Sequence, residues 1–164
     1  MQTHPSTTRK STRASRQTGP APTLAIGPTL AAAGVSPLQQ ARKAALQRAE
    51  LGHLGEGLLM LREVMEQQPP SHEVVSDIAA LLLVARQHEL AAHYALDALV
   101  LKPNHGPSLY VLGFALSGMG DTERAREALV QLLAGASHDS LMREAPALLP
   151  VVQAELQRLA RLPH

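Results

Sequence analysis

A spacing of 34 residues recurs along the middle of the chain. Pro69 and Pro103 stand 34 residues apart, and each follows an apolar stretch of helical character. Shifting the sequence by the same interval aligns small or apolar residues three times over. The aligned sets are Ala45, Ala79 and Gly113; Gly57, Ala91 and Ala125; Leu61, Ala95 and Leu129; and Val64, Ala98 and Leu132. A period of this length predicts stacked copies of one structural unit, in the blocks 38–71, 72–105 and 106–139.

Each block has the pattern of two helices joined by a tight turn. In the third block, Gly120 interrupts the helical pattern, and Asp121 is suited to begin the next helix as its N-cap. That next helix carries apolar residues at i, i+3, i+4, i+7 and i+8, which form one buried stripe. Gly135 is placed to end it. At the start of the first block, Ser36 and Gln39 predict a capping box.

The composition agrees with a helical fold. Hydrophobic residues make up 45% of the chain and are mainly Ala and Leu, which are strong helix formers. Aromatic residues make up only 2%, far fewer than a β-sandwich or barrel core requires. The absence of cysteine excludes disulfide scaffolds, thiolate metal sites and thiol nucleophiles. We therefore predict an all-α fold.

The period and its small residues resemble the tetratricopeptide repeat (TPR) over residues 38–139. Small residues stand at the eighth and twentieth places of each block, and the third block matches best, with Gly113 and Ala125 on pattern. The resemblance implies a right-handed α-solenoid of three helix-turn-helix repeats, which together form a TPR domain over 36–164. Three repeats are enough for a stable stack.

Residues 140–162 predict a capping helix over the last repeat. Asp139 is suited to cap its start, and Pro146 interrupts it. One face is expected to be buried and consists of Leu149, Val152, Leu156 and Leu159. The outer side is expected to be polar and consists of Gln153, Glu155, Gln157, Arg158 and Arg161.

Residues 1–35 differ from the rest of the chain. They contain ten Ser or Thr, four Pro, four basic residues and no acid, and we predict that they are disordered. A signal peptide, a transit peptide and a phosphate-contacting basic tail are the alternatives to a dispensable extension. Pro28 and Gly34 interrupt the apolar part that a signal peptide would need. The 12 Arg against 3 Lys indicate a GC-rich bacterial source, which disfavours a transit peptide.

The sequence offers no catalytic pattern. The closest helical histidine pair, His88 and His93, is spaced by five residues rather than the three or four of a helical zinc pair. We interpret the eight histidines, including His72 and His105 at inter-helix turns, as neutral surface residues. Phosphate-binding glycine loops, nucleophile elbows and paired carboxylates are missing. We predict no catalytic residues, no metal, no cofactor and no enzymatic activity.

In the family that the repeats resemble, the first helices of successive repeats line a concave groove that binds peptides. The matching positions here are Arg42, Leu46, Ala49, Glu50, Ser76, Ala80, Leu83, Val84, Tyr110, Phe114 and Ser117. For Tyr110 and Phe114 the alternative is packing between helices alone. One subgroup grips C-terminal carboxylates with Lys and Asn, but here the only Asn is Asn104, in a loop, and Lys43 is the only Lys on a first helix. An apolar groove instead suits an amphipathic helix or an apolar extended segment.

These features predict a cytoplasmic adaptor or dedicated chaperone whose partner is another protein. The size and layout are similar to the class II type III secretion chaperones, although the aromatic-rich first repeat of that group is missing. The alternatives are an assembly factor for a pilus, secretion or envelope complex, a subunit that supports a separate enzyme, and a homodimer. The net charge of +1 argues against overall attraction to nucleic acid or membranes, which leaves nucleic-acid association to the basic tail.

Overall fold

The computed structural model describes residues 35–162, which are helical with no strand in that part of the chain. The predicted tail, apart from Val35, lies outside the described residues, and so do the alternatives proposed for it. Eight α-helices and one short 3-10 turn follow in order. They are α1 Pro37–Glu50, α2 Leu54–Gln67, α3 His72–Val84, α4 His88–Leu101, α5 Gly106–Gly118, α6 Thr122–Leu132, α7 Gly135–Glu144, the 3-10 turn Pro146–Leu148 and α8 Leu149–Ala160.

The first six helices form three packed pairs, α1 with α2, α3 with α4 and α5 with α6, and each pair stacks on the next. The result is the right-handed α-solenoid of three helix-turn-helix repeats that the resemblance to the TPR implies. The capping box at Ser36 is present, since its hydroxyl accepts from the Gln39 N–H and the Gln39 side chain accepts from the Ser36 N–H. Asp121 caps α6 as expected by accepting from the Arg124 N–H.

The turn inside each repeat has the same geometry. Gly52, Arg86 and Gly120 stand 34 residues apart, and each has a positive φ, of 91°, 60° and 83°. In each turn the following N–H reaches back to a carbonyl five residues earlier, which is the Schellman arrangement. The bonds run from His53 to Arg48, from Gln87 to Leu82 and from Asp121 to Leu116. Arg86 is the one member with a side chain, and its left-handed backbone costs about 1–2 kcal/mol.

Small residues let the two helices of a pair approach closely. A Cβ added at Gly57 would lie 2.6 Å from the Ala45 carbonyl oxygen, and one added at Gly113 would lie 2.6 Å from Leu129 Cγ. Ala45, Ala79, Ala91 and Ala125 are fully buried. The eighth and twentieth places of the repeat are therefore the contact points between paired helices.

The C-terminal cap begins earlier than the sequence predicts and consists of two helices. Gly135 does not end α6, which stops at Leu132; it is instead the first residue of α7, and Asp139 lies inside that helix. The early start is possible because Gly106 has no side chain, which lets the α7 backbone pack directly against it. A Cβ added at Gly106 would lie 2.5 Å from the Leu141 nitrogen. Pro146 opens the 3-10 turn that separates α7 from α8.

The two parts of the cap cover different helices. Helix α7 packs mainly on α5, whereas α8 packs on α6. The predicted buried face of α8 is confirmed, with Val152 fully buried, Leu159 4% exposed, and Leu149 and Leu156 half-buried. The apolar end of the third repeat is thereby covered.

Candidate functional site

The first helices α1 and α3 are joined by an ion pair at the predicted groove. The Arg42 guanidinium donates from Nε to Asp77 Oδ2 at 2.5 Å and from Nη2 to Asp77 Oδ1 at 3.2 Å, and Nη1 lies 2.9 Å from Glu73 Oε2. Burial raises the pKa of Asp77, although the hydrogen bonds from Arg42 act against it. Arg42 is thus occupied by two carboxylates of this chain, and its role in the site is to hold α1 against α3.

Four of the predicted groove residues come together beside this ion pair, where α1 and α3 end. Leu46, Ala49, Glu50 and Val84 line a cleft of about 350 Å³, which is completed by Leu54 and Leu81. Val84 is 71% exposed, so the cleft has an apolar side chain at its edge that the fold leaves in contact with solvent. The cleft offers an apolar wall with a single carboxylate at its rim.

The aromatic pair lies on α5. Tyr110 and Phe114 are half-buried, their ring centroids are 4.5 Å apart with the planes tilted by 34°, and both rings pack against the core. Burial raises the pKa of the Tyr110 hydroxyl, and the charge of Glu155 adds to that effect. On α3, Ala80 and Leu83 are likewise half-buried and packed against the core. Each of these side chains is partly exposed and partly packed. Their role as groove anchors, rather than as packing residues alone, therefore stays a prediction.

Two predicted groove residues are engaged within the fold. Ser76 is only 5% exposed and shares a hydrogen bond with Ser108, so it supports the groove from beneath and is not a contact residue. Ser117 donates to the Glu155 carboxylate and accepts from Arg158 Nη2 at 2.6 Å. The prediction that Glu155 lies on the outer side of the cap is wrong, since its side chain is 12% exposed and turned toward α5. Helix α8 therefore borders the site at its third-repeat end.

A buried polar network lies beneath the site, and the sequence did not reveal it. The prediction of a surface histidine is wrong for His105, which is 2% exposed. Its Nδ1 lies 2.7 Å from Ser108 Oγ, and its Nε2 lies 2.8 Å from Glu144 Oε2. Glu144 also accepts from Ser140 at 2.9 Å and from Lys102 at 3.3 Å. The network ties α3, α5 and α7 together.

The order serine, histidine, carboxylate in this network is the order of a hydrolytic triad. Ser108, however, is fully buried, so a substrate cannot reach its hydroxyl. The arrangement fits a structural role, because each buried polar group has a partner that offsets its desolvation. Within residues 35–162, no three His, Asp or Glu side chains are grouped closely enough to hold a metal ion.

The network predicts how stability depends on pH. Burial lowers the pKa of His105 below 6.5, although Glu144 acts against it, and burial together with Lys102 lowers the pKa of the neighbouring His72. As the pH falls below 6.5, the unfolded chain therefore takes up protons on these histidines before the folded chain does. The free energy of unfolding should decrease from about pH 7 to about pH 5, by at most about 1.4 kcal/mol per pH unit for each histidine.

Urea unfolding at a series of pH values tests this expectation. The slope should become smaller in His105→Asn and should be unchanged in His53→Asn, since His53 is exposed. Glu144, the carboxylate in contact with His105, contributes little above pH 5: burial opposes the shift, but hydrogen bonds from His105 and Ser140 lower its pKa. The raised pKa of Asp77 acts with the opposite sign, but Asp77 is present in the wild type and in both variants, so the comparison isolates the histidine. An equal slope in the wild type and His105→Asn would contradict the assignment.

Comparison with solved structures shows which fold this geometry belongs to. The first TPR domain of Spaghetti (RPAP3) bound to the HSP90 peptide SRMEEVD matches with a TM-score of 0.63 at 12% identity, over 76% of this chain and 93% of that one. The Sgt2 TPR domain from Aspergillus fumigatus matches with a TM-score of 0.57 at 20% identity, over 80% and 89%. The type III secretion translocator chaperone SycD from Yersinia enterocolitica matches with a TM-score of 0.62 at 15% identity, over 75% and 91%.

The chain therefore has the fold of a TPR domain, which is the family that its 34-residue period and small residues resemble. The match to SycD extends over nine-tenths of that chain, so the two share this fold over almost its whole length. No family model and no curated protein matches the sequence. Among the helices of residues 35–162, none combines the length and the apolar character that crossing a bilayer requires.

Proposed function

We propose that this chain is a protein-interaction module, an adaptor or dedicated chaperone, that binds an apolar peptide or amphipathic helix along α1, α3 and α5. The observation that carries the proposal is the set of apolar side chains that these first helices leave partly or largely exposed. The set consists of Leu46, Ala49, Ala80, Leu83, Val84, Tyr110 and Phe114. Apolar side chains that the fold does not cover are typical of surfaces that associate with other proteins.

The charges of the site support an apolar ligand. Arg42 is neutralised by Glu73 and Asp77, and Glu155 is held by Ser117 and Arg158. Few unpaired charges therefore remain to bind a charged ligand, so the affinity for a ligand has to come from apolar contacts. Acidic C-terminal tails are disfavoured as ligands, because the first helices carry no Asn and only one Lys, Lys43, to grip the carboxylate.

The solved structures of the same fold support this class of function. One is bound to a peptide of HSP90, and another is a translocator chaperone. We propose the chaperone-like role, with a partner that presents an apolar segment, and a cytoplasmic location. A second copy of this chain and a component of a secretion, pilus or envelope assembly fit the same surface, and so does a separate enzyme that the chain supports. In each case the chain itself is not the catalyst.

Site-specific photo-crosslinking tests the proposal. A photoreactive amino acid is placed at Val84 in the full-length chain, and the chain is irradiated in extracts of its source cells. We expect a recurrent protein adduct, identified by mass spectrometry. The matched control places the same group at Val130 of α6, which is 55% exposed but outside the site. The absence of an adduct at position 84, or the same adduct from both positions, would contradict the proposal.

A further inference from the structure

Helix α7 is held against the repeats with little apolar burial. Its buried residues are Ser137, Ser140 and Leu141, of which Leu141 alone has a large apolar side chain. Helix α5, on which α7 mainly packs, buries eight residues. Because the burial of apolar surface is the main favourable term in packing, a helix that buries so little of it depends on its polar contacts.

The polar contacts of α7 converge on one carboxylate near its end. Glu144 accepts from Ser140 in the same helix and from Lys102, which follows α4. The second carboxylate oxygen lies 2.8 Å from Nε2 of His105, which precedes α5. The Ser140 hydroxyl accepts from the Gly106 N–H at 3.0 Å. The position of α7 therefore depends on the charges that surround Glu144.

Among residues 35–162, Glu144 is the only carboxylate available to the basic groups of this cluster. The charged and titratable groups that act on His105 and on its neighbour in α3 are His72, Glu73 and Asp77 of α3, Lys102 after α4, Glu144 of α7 and Arg42 of α1. Helix α5 contributes no charged residue. Glu73 and Asp77 are already paired with Arg42. One carboxylate therefore faces a lysine and two histidine rings.

Protons that this cluster takes up have no second carboxylate to balance them. The ring centroids of His72 and His105 are 5.0 Å apart, and Lys102 already shares Glu144. A proton on His105 gains from Glu144 but puts a positive charge in a ring that is 2% exposed. A proton on His72 is repelled by Lys102, and burial is the main cause that lowers the pKa of each histidine. A state in which the His105 ring reaches water takes up the proton more readily, so acid favours that state.

We propose that this cluster is an acid-sensitive latch, which holds α7 on α5 at neutral pH and releases it locally as the pH falls below about 6.5. Release separates Glu144 from His105 and lets the His105 ring reach water. The change extends toward the groove, because the Ser108 hydroxyl joins His105 to Ser76 beneath it. The latch does not depend on the proposed binding function, and it adds the opening of one helix to the lower stability of the whole fold described above.

Amide hydrogen exchange of the full-length chain, followed by mass spectrometry at about pH 7.5 and about pH 5.5, tests the latch. Each rate is divided by the rate of the unfolded chain at the same pH, which removes the direct effect of pH on exchange. We expect the amides of α7 to exchange through a local opening that low concentrations of urea hardly accelerate. Their protection should fall about tenfold between the two pH values. Helix α8, which packs on α6 and contributes no group to the cluster, should not show this loss.

Three histidine variants identify the groups responsible. His105→Asn should remove most of the loss, and His72→Asn, which leaves every contact of Glu144 in place, should reduce it to about threefold. His138→Asn is the matched control and should leave the loss unchanged, because His138 lies on α7 itself but outside the cluster. Circular dichroism at about pH 7.5 checks each fold, and His72→Asn alone decides if His105→Asn does not fold.

Three outcomes would overturn the latch. Protection of α7 that does not change with pH would show that the cluster does not respond to acid. An equal loss of protection in α7 and α8 would show that a larger part of the chain opens, rather than α7 alone. A tenfold loss that persists in His72→Asn would show that other groups take up the protons. The photo-crosslinking at Val84 bears on the groove alone, so the two proposals are tested separately.

Discussion

Gly57→Ala is expected to lower the free energy of unfolding by about 2 kcal/mol or more. The new Cβ would lie 2.6 Å from the Ala45 carbonyl oxygen, 3.3 Å from Ala49 Cβ and 3.4 Å from Leu81 Cδ1. The first of these neighbours is a backbone atom of α1, so it cannot rotate away as the end of a side chain would. The substitution therefore has to push α1 away from α2, which also disturbs the contact with α3.

Gly55→Ala provides the matched control on the same helix. A Cβ at Gly55 meets nothing within 4 Å, and the backbone there has no positive φ. Because alanine favours a helix over glycine by up to about 1 kcal/mol, this variant should be as stable as the parent or more stable. Chemical denaturation of the two variants side by side gives the comparison. Equal effects at positions 55 and 57 would show that helix propensity, not helix contact, determines the residue at 57.

Truncation of Tyr110 and Phe114 to alanine is expected to weaken partner binding by about 2–4 kcal/mol, the range of aromatic hot spots. The two rings are half-buried and in contact, and they are the largest apolar groups on the proposed groove. The fold should lose less than the roughly 3–5 kcal/mol per residue that a fully buried aromatic costs, because part of each ring already faces solvent.

The measurement pairs thermal melts with binding of the partner identified by photo-crosslinking. Tyr94→Ala is the matched control, since Tyr94 is also half-buried but lies on α4, away from the groove. The Tyr94→Ala variant should bind the partner that crosslinks at position 84 as tightly as the parent does. A well-folded double variant of Tyr110 and Phe114 with unchanged affinity would remove these rings from the site and leave them as packing residues.

The sequence predicts the repeats well because their determinants are periodic. Small residues 34 positions apart mark the helix contacts, and Gly52 and Gly120 mark the turns. The cap is less predictable, since it departs from the period. Gly135 follows an apolar helix and therefore has the pattern of a C-terminal stop. The early start of α7 depends instead on Gly106, a contact between residues that no local pattern links.

The polar contacts of the site could not be predicted from local sequence patterns either. His105 precedes α5 in a turn rich in Pro, Asn and Gly, which favours an exposed position. Its burial depends on Glu144, 39 residues later in the chain. Arg42 and Asp77 are likewise 35 residues apart, so the sequence placed Arg42 on the correct helix but did not show that its charge is already used. A search for opposite charges about one repeat apart would have suggested that pair.

The three equivalent turns differ in backbone strain, and this difference bears on how readily the two helices of each repeat separate. The turn at Arg86 bears a backbone cost that the glycine turns avoid, and it lies after α3, which buries seven residues. The turn at Gly52 follows α1, which buries Ala45 alone among its residues. The strained turn therefore lies where dense packing can stabilise it. The first helix pair buries much less and has no comparable packing to offset a strained turn. We therefore expect the first helix pair to open before the others in amide hydrogen exchange.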